Sequence, residues 1–196
     1  MTNDLWTTAP LLHGRSVSLR PLGIDDVDAL AAAHDDPDTL RFFPYGIESE
    51  PPTARTVQHA LASGRQTLAQ VDLRTGAIVG TTSLYNMSEL HGRATIGYTW
   101  ISAAARGTGI NAESKLLLLH HVFDTLGARR VEFIVDELNS RSRAAVCALG
   151  AQQEGALRQH ARRRDGSWRT SIVYSVIDSE WPDVRAHLQA GIGLPQ

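Results

Sequence analysis

Arg106-Gly107-Thr108-Gly109-Ile110-Asn111 joins a stretch that alternates like a β-strand, residues 92–101, to one that is apolar almost all round, residues 112–126. A glycine-bearing loop that feeds straight into a helix start carries an electrostatic possibility. The first helical turn has unpaired N–H groups and a partial positive charge, and glycines let the backbone approach a phosphate without interference from Cβ. The same two glycines also suit a plain tight turn, so on their own they leave both readings open. No Gly-Lys-Ser/Thr follows, which excludes a Walker loop. A third correctly spaced glycine is missing, which excludes a dinucleotide fingerprint.

Upstream of this loop, residues 16–22 read as a first strand, and Ile24-Asp25-Asp26-Val27-Asp28 opens a helix with acids in its first turn. A short helix is expected over residues 37–42, broken by the aromatic loop Phe42-Phe43-Pro44-Tyr45-Gly46. Pro51-Pro52 then starts another helix, to about residue 63. Residues 67–73 and 77–85 form a hairpin about Arg74-Thr75-Gly76, and Ala94, Ile96, Tyr98 and Trp100 alternate on one face of the next strand. Downstream, Val131, Phe133 and Val135 mark a strand over residues 130–136, and Asn139 caps a helix over 140–149 that stops at Gly150. Strands near 152–159 and 170–177 and a helix over 179–188 follow. The order predicts an α+β fold with a mostly antiparallel sheet and one strand–helix–strand crossover. The reading is one domain over residues 1–196, with a loose segment 1–14 and a polar tail 190–196. A parallel pair that splays inside such a sheet leaves a cleft, so function is sought at the crossover.

The 196 residues are 42% hydrophobic, and no run approaches the ~18 apolar residues of a membrane span. With no membrane segment or signal peptide in view, a cytoplasmic protein is expected. The single cysteine, Cys147, excludes an internal disulfide and a cysteine-based zinc site; its place beside Val146 and Leu149 suggests a small buried apolar role. Eight scattered histidines form no metal triad. A net charge of −2 gives no global pull toward nucleic acid or anionic membrane. The run Arg162-Arg163-Arg164 could grip an acidic protein or ribosomal surface, or be a solvated hairpin end.

Ile96-Gly97-Tyr98-Thr99-Trp100, Gly107-Thr108-Gly109-Ile110-Asn111, Lys115-Leu116-Leu117-Leu118-Leu119, Asn139-Ser140-Arg141-Ser142, Leu149-Gly150-Ala151 and Tyr174-Ser175-Val176, in that order, resemble the GCN5-related N-acetyltransferases (GNAT), and among them the Rim-type branch. The resemblance runs from Ser16 to Trp181. It implies a mixed, mostly antiparallel sheet with splayed parallel central strands and flanking helices. It implies acetyl-CoA, or another acyl-CoA, as co-substrate, with the acyl group passed directly to an amine of a protein N-terminus, peptide or small molecule. Trp100 and Ile101 would hold the pantetheine through their main chain. The amides of Arg106, Gly107, Thr108, Gly109, Ile110 and Asn111 would hold the pyrophosphate, although Asn111 stands where the family usually has Gly or Ala. Asn139 would orient the pantetheine, and Ser142 at a helix start would protonate the leaving thiolate or hydrogen-bond to it. Phe42, Phe43, Tyr45 and Tyr98 would line the acceptor pocket. Metal, nucleic acid and membrane are not expected, and oligomerisation is open.

The general base is the gap. Many Rim-type sequences place Glu where this chain has Thr95. An α-amine with pKa about 7.8 is roughly one-seventh neutral at pH 7, against about 0.04% for a lysine near 10.4, so Thr95 favours an α-amine or another low-pKa amine. Glu132, His91, Glu113 and Tyr98 are the nearby titratable alternatives. A non-catalytic acyl-CoA-binding or regulatory module of the same fold is the competing reading, and an acyltransferase-fold protein that binds a partner through its arginines is a third.

Overall fold

The computed structural model describes residues 4–192, which build one eight-stranded sheet in the order β1-β2-β3-β4-β5-β6-β8-β7. The strands are β1 Leu12–His13, β2 Val17–Pro21, β3 Gln66–Asp72, β4 Ile78–Ser88, β5 Arg93–Ile101, β6 Arg130–Asp136, β7 Gln152–Arg162 and β8 Trp168–Ile177. All neighbours are antiparallel except β5 and β6. That one parallel pair is bridged by α3, Ile110–His120, and a π-helical turn over His121–Thr125, where Leu126 N–H donates to His121 O.

Period-2 alternation places Leu68, Leu84, Ala94, Ile96, Val131 and Phe133 on one face, against Leu116, Leu118, Leu119 and Val122 of the crossover helix and Trp181, Val184 and Leu188 of α5, Trp181–Gly191. The opposite face carries Ala69, Ile78 and Trp100 under α1, Val27–Ala33, and α2, Ala54–Ala62, through Leu30, Ala33 and Val57. Helices on both faces let the central strands read as apolar and close the core. The remaining helix, α4 (Ser140–Ala148), begins at its N-cap Asn139, whose Oδ1 accepts from Ser142 N–H at 3.0 Å.

Four expectations need correction. Residues 37–42 form a chain of turns rather than a helix. Its backbone bonds, Thr39 N–H to Asp36 O, Arg41 N–H to Asp38 O and Phe43 N–H to Leu40 O, each span three residues and close separate turns rather than the four-residue ladder of an α-helix. From Asp4 onward the first fourteen residues are anchored: Trp6 is buried, its carbonyl accepts from Gln66 Nε2, and β1 pairs with β2. The last helix runs on to Gly191, into the segment expected to be tail; residues 193–196 lie outside the described residues. The stripe Ala94, Ile96, Tyr98, Trp100 does not share a face. Thr81 pairs with Trp100 and Ser83 with Gly97, so two residues of β5 oppose Thr82 alone. This bulge, with Tyr98 at φ 48°, flips the strand and sends Trp100 to the second core.

Next to the bulge, β4 and β5 approach so closely that a Cβ on Gly80 would lie 2.0 Å from Trp100 O. Gly80→Ala is therefore expected to lower unfolding stability by at least about 2 kcal/mol. Urea unfolding checks this, and an unchanged midpoint would show that the two strands are free to part.

Candidate active site

β5 and β6 share only the pairs Arg93/Arg130, Ala94/Val131 and Thr95/Glu132 before they diverge. Past that point a cleft of about 490 Å³ opens between them. Of the cofactor residues expected from sequence, Trp100, Ile101, Arg106, Gly107, Asn111, Asn139 and Ser142 line it; of the acceptor residues, Phe42, Phe43 and Tyr98 do.

Main-chain direction decides which strand groups face the opening. Trp100 O accepts from Gln70 Nε2 at 3.1 Å and Ser102 N–H donates to Val79 O at 2.7 Å, so both turn toward β4. Successive strand residues face opposite edges, which leaves the intervening Ile101 toward the cleft. The expected main-chain role thus suits Ile101 and not Trp100, whose carbonyl is occupied.

The loop after β5 is a short 3-10 turn, Ala103–Ala105, followed by Gly107 at φ 75° and Gly109 at φ 88°. Left-handed backbone favours glycine at both positions, and nothing lies within 4 Å of a Cβ built on either. The amides of Gly107, Thr108 and Gly109 have no backbone acceptor among the described residues, and the first-turn amides of α3 are orphans by helix geometry. This is an open concave run of donors suited to phosphate. Its side chains are otherwise engaged. Arg106 is bound by Asp36 at 2.6 Å and Thr39 Oγ1 at 2.9 Å, Thr108 Oγ1 donates to Ala105 O, and Ile110 is in the core. The Asp35 carboxylate braces the loop from outside by accepting from Ala103 and Ala104 N–H, which holds its pKa below the usual range. Thr108, Gly109 and Ile110 do not reach the cleft lining with their own atoms. In the first turn of α3, Asn111 Oδ1 is buried and unpartnered, so a donor is wanted there.

Part of the cleft lining is aromatic. Tyr98 sits edge-on to Tyr85 at 5.2 Å and to Phe43 at 6.0 Å, with the Arg65 guanidinium 3.9 Å from its ring centre. Burial pushes the Tyr85 phenol pKa well up, with the Tyr98 phenol adding to the effect. Tyr45 lies outside the lining, 67% exposed, its N–H tied to Arg162 O.

Three proposed bases are elsewhere. Glu113 is buried and accepts from Ser16 N–H and Ser16 Oγ, where it anchors the start of β2. Glu132 is bound to Arg130 Nε at 2.8 Å, and His91 is exposed in the β4–β5 turn. Only Tyr98 of the four lines the cleft. Asp136 also lines it: burial raises its pKa, but the Arg163 guanidinium at 2.8 Å and Leu138 N–H outweigh that and hold it ionised. Arg163 is thereby a structural partner rather than a free surface cation, and Arg162 stacks on Trp168 at 4.4 Å. Cys147 is exposed, contrary to the buried role expected for it, because α4 turns that side to solvent while Val146 and Leu149 face the core.

Tyr85, His160, Arg169 and Lys115 line the cleft without having been singled out from sequence. For Lys115 a signal existed: the one lysine of the chain lies in the helix that is apolar all round. Its Nζ donates to Thr99 Oγ1 at 2.6 Å and Thr82 Oγ1 at 3.1 Å, the two hydroxyls being 2.8 Å apart. These hydroxyls flank the β5 bulge, so α3 is fastened to it. No carboxylate pairs with Lys115 among the described residues, and burial lowers its pKa to about 7.

Parted parallel strands beside a glycine-bearing helix start are the architecture of an acyltransferase. The comparisons then specify the family: an Acetyltransferase (GNAT) domain model matches residues 16–152, and the chain belongs to that family, which makes it a transferase. The chain is 30% identical over 106 residues to YdaF of Bacillus subtilis (strain 168), which carries a provisional ribosomal N-acetyltransferase name; the match covers 54% of this chain and 57% of YdaF. That likeness lies in the Rim-type branch. A GCN5-related N-acetyltransferase from Brucella melitensis superposes with TM-score 0.84 at 30% identity, over 94% of this chain and 86% of the other. Mycobacterium smegmatis RimJ, determined in complex with CoA-disulfide, shares the fold with TM-score 0.74 at 24% identity, over 94% and 93%. No helix of the described residues is long and apolar enough to cross a membrane, and no cluster among them could hold a metal.

Lys115 sets a pH dependence of stability. Below about pH 7 it holds its proton in the folded and unfolded chains alike; from there to about 10.5 only the unfolded chain is protonated. Stability should climb with pH across this window, by up to about 1.4 kcal/mol per unit. Lys115→Met should remove the climb. Denaturant titrations of both proteins from pH 7 to 9 check it: a wild-type-to-variant difference that stays constant overturns the assignment.

Proposed function

We propose that the protein is an acyl-CoA-dependent N-acyltransferase, with acetyl-CoA as the donor, that transfers the acyl group directly to an amine. The observation that carries this reading is the parting of β5 and β6 directly beside the donor-rich Gly107–Gly109 loop. The pantetheine would continue the sheet from Ile101, and the loop amides and α3 start would take the pyrophosphate. An extended thioester then lies along the cleft, its sulfur toward the N-terminus of α4, where Ser142 and the helix field stabilise the departing thiolate. Asn139 serves chiefly to cap that helix and orient Ser142. That RimJ, which shares this fold, was determined in complex with CoA-disulfide supports a CoA thioester as the ligand.

Proton removal follows from charge. Arg141 and Arg169 line the cleft with no ion pair among the described residues, Lys115 adds part of a charge near pH 7, and Arg106 is paired with Asp36; the one lining carboxylate, Asp136, is neutralised by Arg163. Such a wall disfavours an ammonium and lowers the pKa of a bound amine, so a low-pKa amine enters neutral and needs no strong base. The likeness to a ribosomal-type acetyltransferase supports a protein N-terminus among the acceptors and a cytoplasmic setting. The lack of an unpaired carboxylate in the lining also favours a second reading, a binding module without turnover.

Release of free CoA with a panel of amines separates the two. Turnover is expected for α-amines at pH 7, and Ser142→Ala should lower it roughly a hundredfold with little change in acetyl-CoA affinity. Affinity without turnover on any amine would establish the binding module; an unaltered Ser142→Ala rate would leave Ser142 as a helix-start residue only.

A further inference from the structure

Arg169 has an environment that no other arginine of the cleft shares. It is 5% exposed, at the start of β8, and its guanidinium spans the gap between two walls: Nη1 donates to Phe42 O and Nη2 to Ile134 O, each at 3.3 Å. Ile134 lies two residues beyond the last β5–β6 pair, so the span crosses the open end of the splay. Arg106 is paired with Asp36 and Arg163 with Asp136, but Arg169 forms no ion pair among the described residues, and its Nε is buried with no partner. Burial lowers its pKa, while the field of Asp136 and the two phenols Tyr85 and Tyr98 works in the other direction. The hydroxyls of those phenols carry no hydrogen bond among the described residues.

A buried cation with an unused donor, beside two free hydroxyl donors in an aromatic-walled cleft, is unsatisfied without an anion. We infer that the acceptor is an amine that also bears a carboxylate, and that this carboxylate docks on Arg169 with Tyr85 and Tyr98. The inference rests on the acetyltransferase reading and replaces the protein N-terminus, whose α-carbon carries an amide, with a free amino acid or similar zwitterion as the acceptor. A carboxylate on the acceptor is favoured over one on the donor, because Arg169 bonds to Phe42 O and feels the phenols Tyr85 and Tyr98, while none of its hydrogen bonds goes to residues 106–111. The docking also solves an electrostatic problem. A zwitterion anchored by its carboxylate tolerates a cationic wall that would turn away a simple ammonium, and the same wall then promotes loss of the proton from the amine.

The test uses the full chain, acetyl-CoA and matched acceptors: L-phenylalanine against L-phenylalaninamide, and β-alanine against β-alaninamide. Each amide has the less basic amine, so a preference for the acid cannot arise from amine basicity. The wild type should favour the acids in kcat/KM by roughly ten-fold or more. Arg169→Gln should bring the ratio to one or below, with acetyl-CoA affinity held within about three-fold, a change in specificity that a purely structural arginine would not produce. Should Arg169→Gln fail to fold, Arg169→Lys carries the test: it keeps the charge, loses the fork and Nε, and should lower the ratio. Amides acetylated as fast as acids, a ratio unmoved by either variant, or no acetylation of any of the four by protein that binds acetyl-CoA overturns the inference. Failure to bind acetyl-CoA at all overturns the acetyltransferase reading and this one with it.

Discussion

Every main-chain N–H and C=O removed from water needs a partner, and this sheet withdraws partners from its own middle. After Thr95 and Glu132 the facing edges of β5 and β6 lose each other, and the interior of the protein acquires a slot lined with unpaired backbone. Closing the slot would unite the two halves of the sheet and abolish the site. Holding it open demands a rigid frame: α3 and the π-helical turn after it cross over with Leu118, Leu119 and Val122 fully buried, and β8 pairs with all seven residues of β6. The glycine loop, the start of α3 and the start of α4 then fall at the slot's rims because the crossover and the strand ends place them there. Donors that helix geometry leaves without partners thus gather around an opening that needs ligands.

The bulge at Tyr98 and Thr99 performs a second task with the same economy. By turning β5 over, it sends Trp100 beneath α1 and α2 and releases Tyr98 into the cleft. Such a flip needs fastening, and Lys115 supplies it through Thr99 and Thr82. A buried lysine is an expensive clamp where a neutral donor would serve, since desolvation works against its charge. With no counter-ion among the described residues and a pKa lowered to about 7, it carries only part of its charge near neutral pH.

Where sequence and structure agree, the governing physics is local or periodic. β6 is legible to the residue from Val131, Phe133 and Val135, and α4 from Asn139 and Gly150, since caps and alternation are written in adjacent residues. The glycine loop is legible for the same reason. Period-2 reading failed at Tyr98, because a bulge depends on what the partner strand does and leaves no mark in its own alternation. Residues 37–42 read as helix but are held as turns, and their Arg106 contacts span 67 residues or more of chain. Arg169 was invisible for a related reason: its meaning comes from Phe42 and Ile134, distant in sequence, and the strand that carries it was placed two residues late. Lys115 entered the sequence reading only as part of a family motif, and the Thr82 and Thr99 hydroxyls show why a lone lysine belongs in an apolar helix.

The net charge of −2 and the cationic cleft are compatible because charge acts over short distances in a partly buried slot. Outside, acids compensate: Asp36 for Arg106, Glu48 for Arg65, Glu154 for Arg130. Inside, the one lining carboxylate is spent on Arg163, which leaves Lys115 and Arg169 uncompensated by the described residues. An acyltransferase with Glu at the Thr95 position would remove a proton from its substrate with a base. Here Thr95 is itself buried, 1% exposed, at the last paired position of β5, where a carboxylate would have to be desolvated beside β6. In the reading proposed above, a cleft hostile to ammonium presents the amine neutral without that base. A cleft hostile to ammonium must in turn offer the substrate some other hold, and an arginine poised between two carbonyls with a donor to spare is the hold available.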